Sequence, residues 1–203
     1  YFLAQENVNQ AQIRMGASQI NSEKINETDV DFLMNYLGQG FSSMLMKELR
    51  TKRGLVYGAG SKVSFDAKNF GSIIATSTRT EKVSETLQVI NTIVANLQQT
   101  EVSPIEIESR KDKMSVLRSF SLEGSEDLLM KIMEMDYRGI SLSEIDAYTK
   151  NIENIKSSEV KKLANYFYPQ DQMKILLVGQ SAILKSLKID KKKIHIIRLN
   201  DLL

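Results

Sequence analysis

Two side chains with chemistry to offer stand seven residues apart in the stretch Leu37-Gly-Gln-Gly-Phe-Ser-Ser-Met-Leu-Met-Lys-Glu-Leu-Arg-Thr-Lys-Arg-Gly-Leu-Val-Tyr57. They are Arg50 and Tyr57. A guanidinium offers five N–H donors and a phenol one O–H donor, so a pair held on either side of a sharp turn can bind a peptide carbonyl or a carboxylate. The plain structural alternative is that Arg50 only answers a helix dipole and Tyr57 only packs. Strict alternation groups Tyr57 with Leu55, Ala59, Val63 and Phe65, a possible core face, while Gly58 and Gly60 permit a bulge that would re-aim it.

The local pattern predicts what positions the pair. Gly38 and Gly40 form a hinge after a helix end. Ser42 or Ser43 is placed to cap a second helix, in which Phe41, Met44, Leu45, Glu48 and Leu49 recur at three- and four-residue steps. Lys47, Arg50, Lys52 and Arg53 crowd its end, Gly54 stops it, and Leu55-Val56-Tyr57 opens a strand.

Other chemistry is excluded by composition. There is no cysteine, hence no disulfide, thiolate metal site or cysteine nucleophile. The single histidine, His195, lies in a strand-like Lys193-Ile194-His195-Ile196-Ile197 run and reads as an edge-strand residue; no serine triad can be built around it. Gly58-x-Gly60 lacks the third glycine and the following helix of a dinucleotide loop. A net charge of +2 from 27 basic and 25 acidic residues gives no electrostatic case for nucleic acid. No apolar run reaches the length of a membrane span, and no signal peptide is visible. Lys191-Lys192-Lys193 reads as a solvated turn. Met130, Met133 and Met135 are assigned to core or to a contact with a further domain.

The 203 residues suffice for one domain with its own core, 1–203. A half-buried strand is predicted from Val8 to Gly16 and a helix from Thr28, with Thr28 as cap and Asp31 reaching back. Strands come next at Leu55–Phe65 and Phe70–Thr78, joined by a hairpin turn at Asp66–Asn69. Thr80 starts a helix with Val83, Leu87, Ile90, Val94 and Leu97 on one face. Ser103-Pro104-Ile105-Glu106 is a capping box with proline at the first helical position. Helix then runs to Leu122 and, past Gly124, to Gly139; Ser143–Ile155 and Ser157–Tyr168 are shorter helices. Met173–Val178 reads as a central strand, Ser181–Leu187 as a short helix and Ile194–Arg198 as an edge strand. The class is α+β: a mostly antiparallel sheet with helices packed on one face.

The run Gly38-x-Gly40-Phe41-Ser42-Ser43-x-Leu45 followed by Glu48-Leu49-Arg50-x-Lys52-Arg53-Gly54-Leu55-x-Tyr57 resembles the signature of the second, zinc-free half of the pitrilysin/insulinase-type zinc peptidases. These are the inverted H-x-x-E-H enzymes, a group that includes the mitochondrial processing peptidases. Gln39 stands where that family often has a glycine, and Met44 where a polar residue is common; neither touches the Arg–Tyr pair. The resemblance implies a metallohydrolase-like half, forming a chamber with a zinc-bearing N-terminal half or subunit and acting on peptide substrates, with dimers of such units expected. It implies that this chain holds no cofactor and that zinc sits in the partner half. It implies that Arg50 and Tyr57 hold the substrate backbone and offset charge on the attacked carbonyl, a role worth about 2–4 kcal/mol per donor. The start at Tyr1 suggests a piece of a longer polypeptide, cytoplasmic or periplasmic, inactive alone. The alternative is a non-catalytic structural or peptide-binding subunit of the same fold.

Overall fold

The computed structural model describes residues 1–5, 8–20, 25–65, 69–121, 124–137, 139–187 and 191–197. Six strands form one sheet in the order β3-β4-β2-β5-β1-β6. They are β1 (Phe2–Gln5), β2 (Gln10–Ile20), β3 (Val56–Phe65), β4 (Asn69–Arg79), β5 (Lys174–Gly179) and β6 (His195–Ile197). The pairs β3/β4, β4/β2 and β2/β5 are antiparallel, whereas β1 runs parallel to both β5 and β6. The helices are α1 (Glu27–Leu37), α2 (Val83–Gln99), α3 (Pro104–Ser121), α4 (Ser125–Tyr137), α5 (Ser143–Glu153), α6 (Ser157–Phe167) and α7 (Ile183–Ser186). This is the α+β class the sequence predicts.

Period-two burial explains the central strand. Ala11, Ile13, Met15 and Ala17 of β2 are buried, while Gln12 and Arg14 on its other face are half-buried. Across the core from them, Leu87, Ile90 and Val94 of α2 and Val160, Leu163 and Phe167 of α6 supply the helical stripes. All five apolar positions predicted for α2 are buried, although its first turn, Thr80–Lys82, is tighter than α. The serine cap at α3 forms: Glu106 N donates to Ser103 Oγ at 3.3 Å, and the Glu106 carboxylate turns back to accept from the Ser103 hydroxyl at 2.9 Å.

Several expectations are corrected. The opening strand extends to Ile20 because β4 matches it residue for residue, from Gln10↔Arg79 to Ile20↔Asn69. A short strand, Phe2–Gln5, precedes it, too brief to show a period in the sequence. The cap of α1 is Asn26, whose Oδ1 accepts from Thr28 N at 2.8 Å; Thr28 itself is buried. The predicted turn at Asp66–Asn69 lies, for residues 66–68, outside the described residues. Of the methionines assigned to core or to a contact with a further domain, Met135 is core and Met130 and Met133 face outward, which leaves that assignment uncontradicted.

Candidate functional site

The site begins where α1 ends. Gly38 N and Gln39 N both donate to Met34 O, at 2.8 and 3.0 Å. A Cβ on Gly38 would stand 2.2 Å from Ser61 N, so the chain touches the backbone of β3 there and admits no side chain. Gly40, at φ +77°, turns the chain away. The next element departs from the regular helix expected. Over Met46–Thr51 the backbone winds wider, and Lys52 N donates to Lys47 O, five residues back, at 3.0 Å. Gly54, at φ +59°, closes it, and Leu55 N donates to Leu49 O at 2.8 Å. Leu45 and Leu49 are wholly buried and Met46 nearly so, which leaves Arg50 on the rim. Neither predicted serine caps this element. The Ser42 hydroxyl is engaged by Arg110 and Lys113, and Ser43 Oγ is buried.

Strand β3 is irregular where Tyr57 sits. Val56 opposes Thr78 and Ala59 opposes Thr76, so three steps on β3 match two on β4 and one residue is extra. Thr76 Oγ1 donates to Gly58 O and Thr78 Oγ1 to Leu55 O, both at 2.7 Å, which satisfies the carbonyls the bulge leaves. Leu55 and Val56 are therefore both buried, and Tyr57 is thrown outward, 82% exposed. The core-face alternative for Tyr57 fails, and the bulge that Gly58 permits is present.

These two irregularities bring the pair together. Arg50 Cζ lies 5.0 Å from the Tyr57 ring centroid and 5.3 Å from that of Phe41. The guanidinium lies over both aromatic rings. Around it is an open pocket of about 260 Å³ lined by Gly40, Phe41, Met46, Arg50, Tyr57 and Gly58. The nearby carboxylate, Glu48, is already committed: Lys52 Nζ lies 2.6 Å from its Oε1 and Arg53 donates to its Oε2 and backbone carbonyl. Hydrogen bonds first from Lys52, then from Arg53, hold its carboxyl below the ordinary value. Among the described residues no carboxylate forms an ion pair with Arg50. The arrangement is a fixed cation with free donors beside an exposed phenol, suited to a neutral or anionic oxygen.

Phe41 is the member that sequence reasoning missed. Its place in a helical stripe assigned it to the core, yet it is 77% exposed. The available signal was its position between the hinge glycine and a serine, before the helix begins.

A buried network fixes the loop that carries Phe41. Arg110 of α3, only 9% exposed, donates to Asn35 Oδ1 at 3.2 Å and to Ser42 O at 3.0 Å, and its Cζ lies 5.6 Å from the Tyr36 ring. Lys113 Nζ adds a bond to Ser42 Oγ at 2.6 Å. Burial, then Glu106, pushes the Tyr36 phenol up to about 12, and burial pushes Arg110 down.

Among the described residues no group of His, Cys, Asp or Glu is arranged to hold a metal, and His195 is exposed on β6. Among the described residues no helix is long and apolar enough to cross a membrane.

No curated protein sequence matches the chain. A solved peptidase M16 inactive domain from Pseudomonas fluorescens is 22% identical with a TM-score of 0.79, covering 88% of this chain and 43% of that one. A protease from Helicobacter pylori is 19% identical with a TM-score of 0.79 and the same coverages, 88% and 43%. A periplasmic protease from Escherichia coli is 15% identical with a TM-score of 0.67, covering 88% of this chain and 20% of that one. The fold is shared with all three, and the chain spans less than half the length of each. Residues 1–114 match the family model described as the peptidase M16 inactive domain, and the chain belongs to that family.

Proposed function

We propose that this chain is the zinc-free C-terminal half of a peptidase of that family, and that it lines a substrate chamber completed by a zinc-bearing half. The observation that carries the reading is Arg50, in cation–ring contact with both Phe41 and Tyr57 and lacking a carboxylate partner among the described residues. A guanidinium held against two rings is pre-oriented, so little is lost when it donates to a backbone carbonyl. Tyr57 presents its hydroxyl beside it, on a strand end whose backbone bonds are satisfied. Together the two hold a peptide carbonyl and offset negative charge that develops on its oxygen. The metal belongs to the other half, and the chain alone has no peptidase activity.

The test is peptide hydrolysis by the joined halves, with Arg50→Ala and Tyr57→Phe. The reading expects each to lower kcat by about 10²-fold or more, and this chain by itself to cleave nothing. Zinc-dependent cleavage by this chain alone would sink it, and so would full activity of the double variant. The second outcome would favour a structural or peptide-binding subunit of the same fold.

A further inference from the structure

The sheet divides the chain's charge unevenly. None of the described strands contains an Asp or Glu, although the chain has 25. The strands do contain Arg14, Lys62, Arg79 and Lys174. Alternation sorts side chains onto two faces. Toward the helices stand Ile13, Val63, Ile74 and Ile175, all buried. The opposite face is open: Lys62, Ile73, Lys174 and Leu176 are exposed and Arg14 is half-buried.

Strand pairing gathers three of the cations. Lys62 pairs with Ile73, Ile73 with Gly16 and Gly16 with Lys174, so one row across four strands has a lysine at each end. Strand spacing sets the two lysine Cα atoms about 14 Å apart. In the next row Ala75, Arg14 and Leu176 are neighbours, which places Arg14 between the lysines. Arg14 Nη1 donates to Ile13 O at 3.0 Å, a bond that braces the guanidinium and leaves it other donors. Among the described residues no carboxylate forms an ion pair with Arg14, Lys62 or Lys174, whereas Arg79 is met by Glu81 at 3.6 Å. A solvated surface ordinarily intersperses both signs. This one carries three cations around an apolar floor of Ile73, Ala75 and Leu176.

The open face reaches the candidate site. Val56 is buried, so Tyr57 beside it leaves β3 on the open side. Lys62 lies five residues further on, one of them spent in the bulge, hence about 14 Å along the strand. An extended peptide covers that distance in about four residues.

We propose that this face selects acidic peptides, its three cations taking Asp or Glu side chains about four residues from the bond held at Arg50 and Tyr57; the inference rests on the functional reading above. Charge complementarity selects that occupant. Cations of one sign raise the local concentration of an anionic segment and reject a basic one. Among the described residues no aromatic side chain stands between the three cations to stack a base, which favours a peptide over a nucleic-acid strand.

The test uses the joined halves. Two peptides differ only in carrying Glu or Gln about three to five residues on either side of the cleaved bond. At low salt the Glu peptide is expected to show a kcat/KM about five- to tenfold higher, what three exposed charge pairs supply together. In Lys62→Gln/Lys174→Gln that ratio is expected to fall to about two or less. Both lysines are exposed, so folding is not at stake. Equal kcat/KM for the two peptides overturns the proposal, and so does a ratio that survives the double substitution. Polyglutamate is expected to inhibit cleavage of the Glu peptide at a lower concentration than single-stranded RNA does; the reverse order overturns the proposal. If Arg50→Ala keeps full activity while the Glu preference still depends on the lysines, the functional reading falls and the selectivity stands.

Discussion

Arg50 and Tyr57 meet through a cation–ring contact of 5.0 Å, made by the wide turn that carries one and the bulge that carries the other. The contact uses the face of the Tyr57 ring and leaves its hydroxyl unspent. Tyr57→Phe therefore keeps the stacking and removes one donor. Peptide hydrolysis by the assembly is expected to lose about 10²–10³ in kcat with KM little changed. Because the side chain is 82% exposed, the melting temperature should not move. A drop in both would mean the hydroxyl supports the fold.

Phe41 meets the same guanidinium, with Arg50 Cζ 5.3 Å from its ring centroid. Phe41→Ala frees Arg50 to sample other rotamers. An exposed cation–π contact is worth about 0.5–1 kcal/mol, so KM for a peptide is expected to rise about two- to five-fold with stability unchanged. Steady-state kinetics with Phe41→Leu as a second variant separates loss of the ring face from loss of bulk.

Gly38 and Gly58 make opposite predictions although both flank the site. A methyl on Gly38 meets Ser61 N at 2.2 Å, and backbone cannot step aside cheaply. Gly38→Ala is expected to destabilise by about 1–3 kcal/mol or more. Nothing lies within 4 Å of the corresponding position on Gly58, so Gly58→Ala should be tolerated by the fold. Urea denaturation of the two variants checks the contrast; equal effects would refute the close approach.

Arg110 links α3 to the hinge through Asn35 and Ser42. Arg110→Met fills the volume but strands buried acceptors, at a cost of about 1–3 kcal/mol. Arg110→Lys returns charge without the planar fork and should recover only part of it. Thermal unfolding of both reads this directly.

Much of this was legible in the sequence because local signals agreed with the fold. The serine cap at Ser103–Glu106 and the stripe Val83–Leu97 needed only their own residues to be read. The nearness of Arg50 and Tyr57 across a sharp turn was readable from their spacing, and the glycines around them announced irregular backbone. What stayed hidden depends on partners distant in sequence. Tyr57 points outward because Thr76 and Thr78 hold the bulge from the neighbouring strand. Thr28 lost the cap to Asn26 because the helix starts earlier, at Glu27, and buries the threonine. The mixed direction of the sheet comes from β1, four residues long and defined only by its pairing to β5 and β6.

Glu48 sets the pH dependence of the element that holds Arg50. Its carboxyl titrates below the ordinary value of 4.5, first through the hydrogen bond from Lys52 and then through that from Arg53. A depressed carboxyl stabilises the fold fully above its unfolded value, and that contribution drains away as pH falls through the folded value. The window therefore lies below about 4.5, and nothing from this group should change between pH 6 and 8. Lys52 is largely exposed, so the contribution is small, about 1 kcal/mol at most. Glu48→Gln is expected to lower the melting temperature slightly at pH 7 and to converge with the parent as pH falls through and below the lowered folded value. A gap between the two that widened on acidification would reverse the sign and show that Lys52 and Arg53 do not hold Glu48 in its charged form.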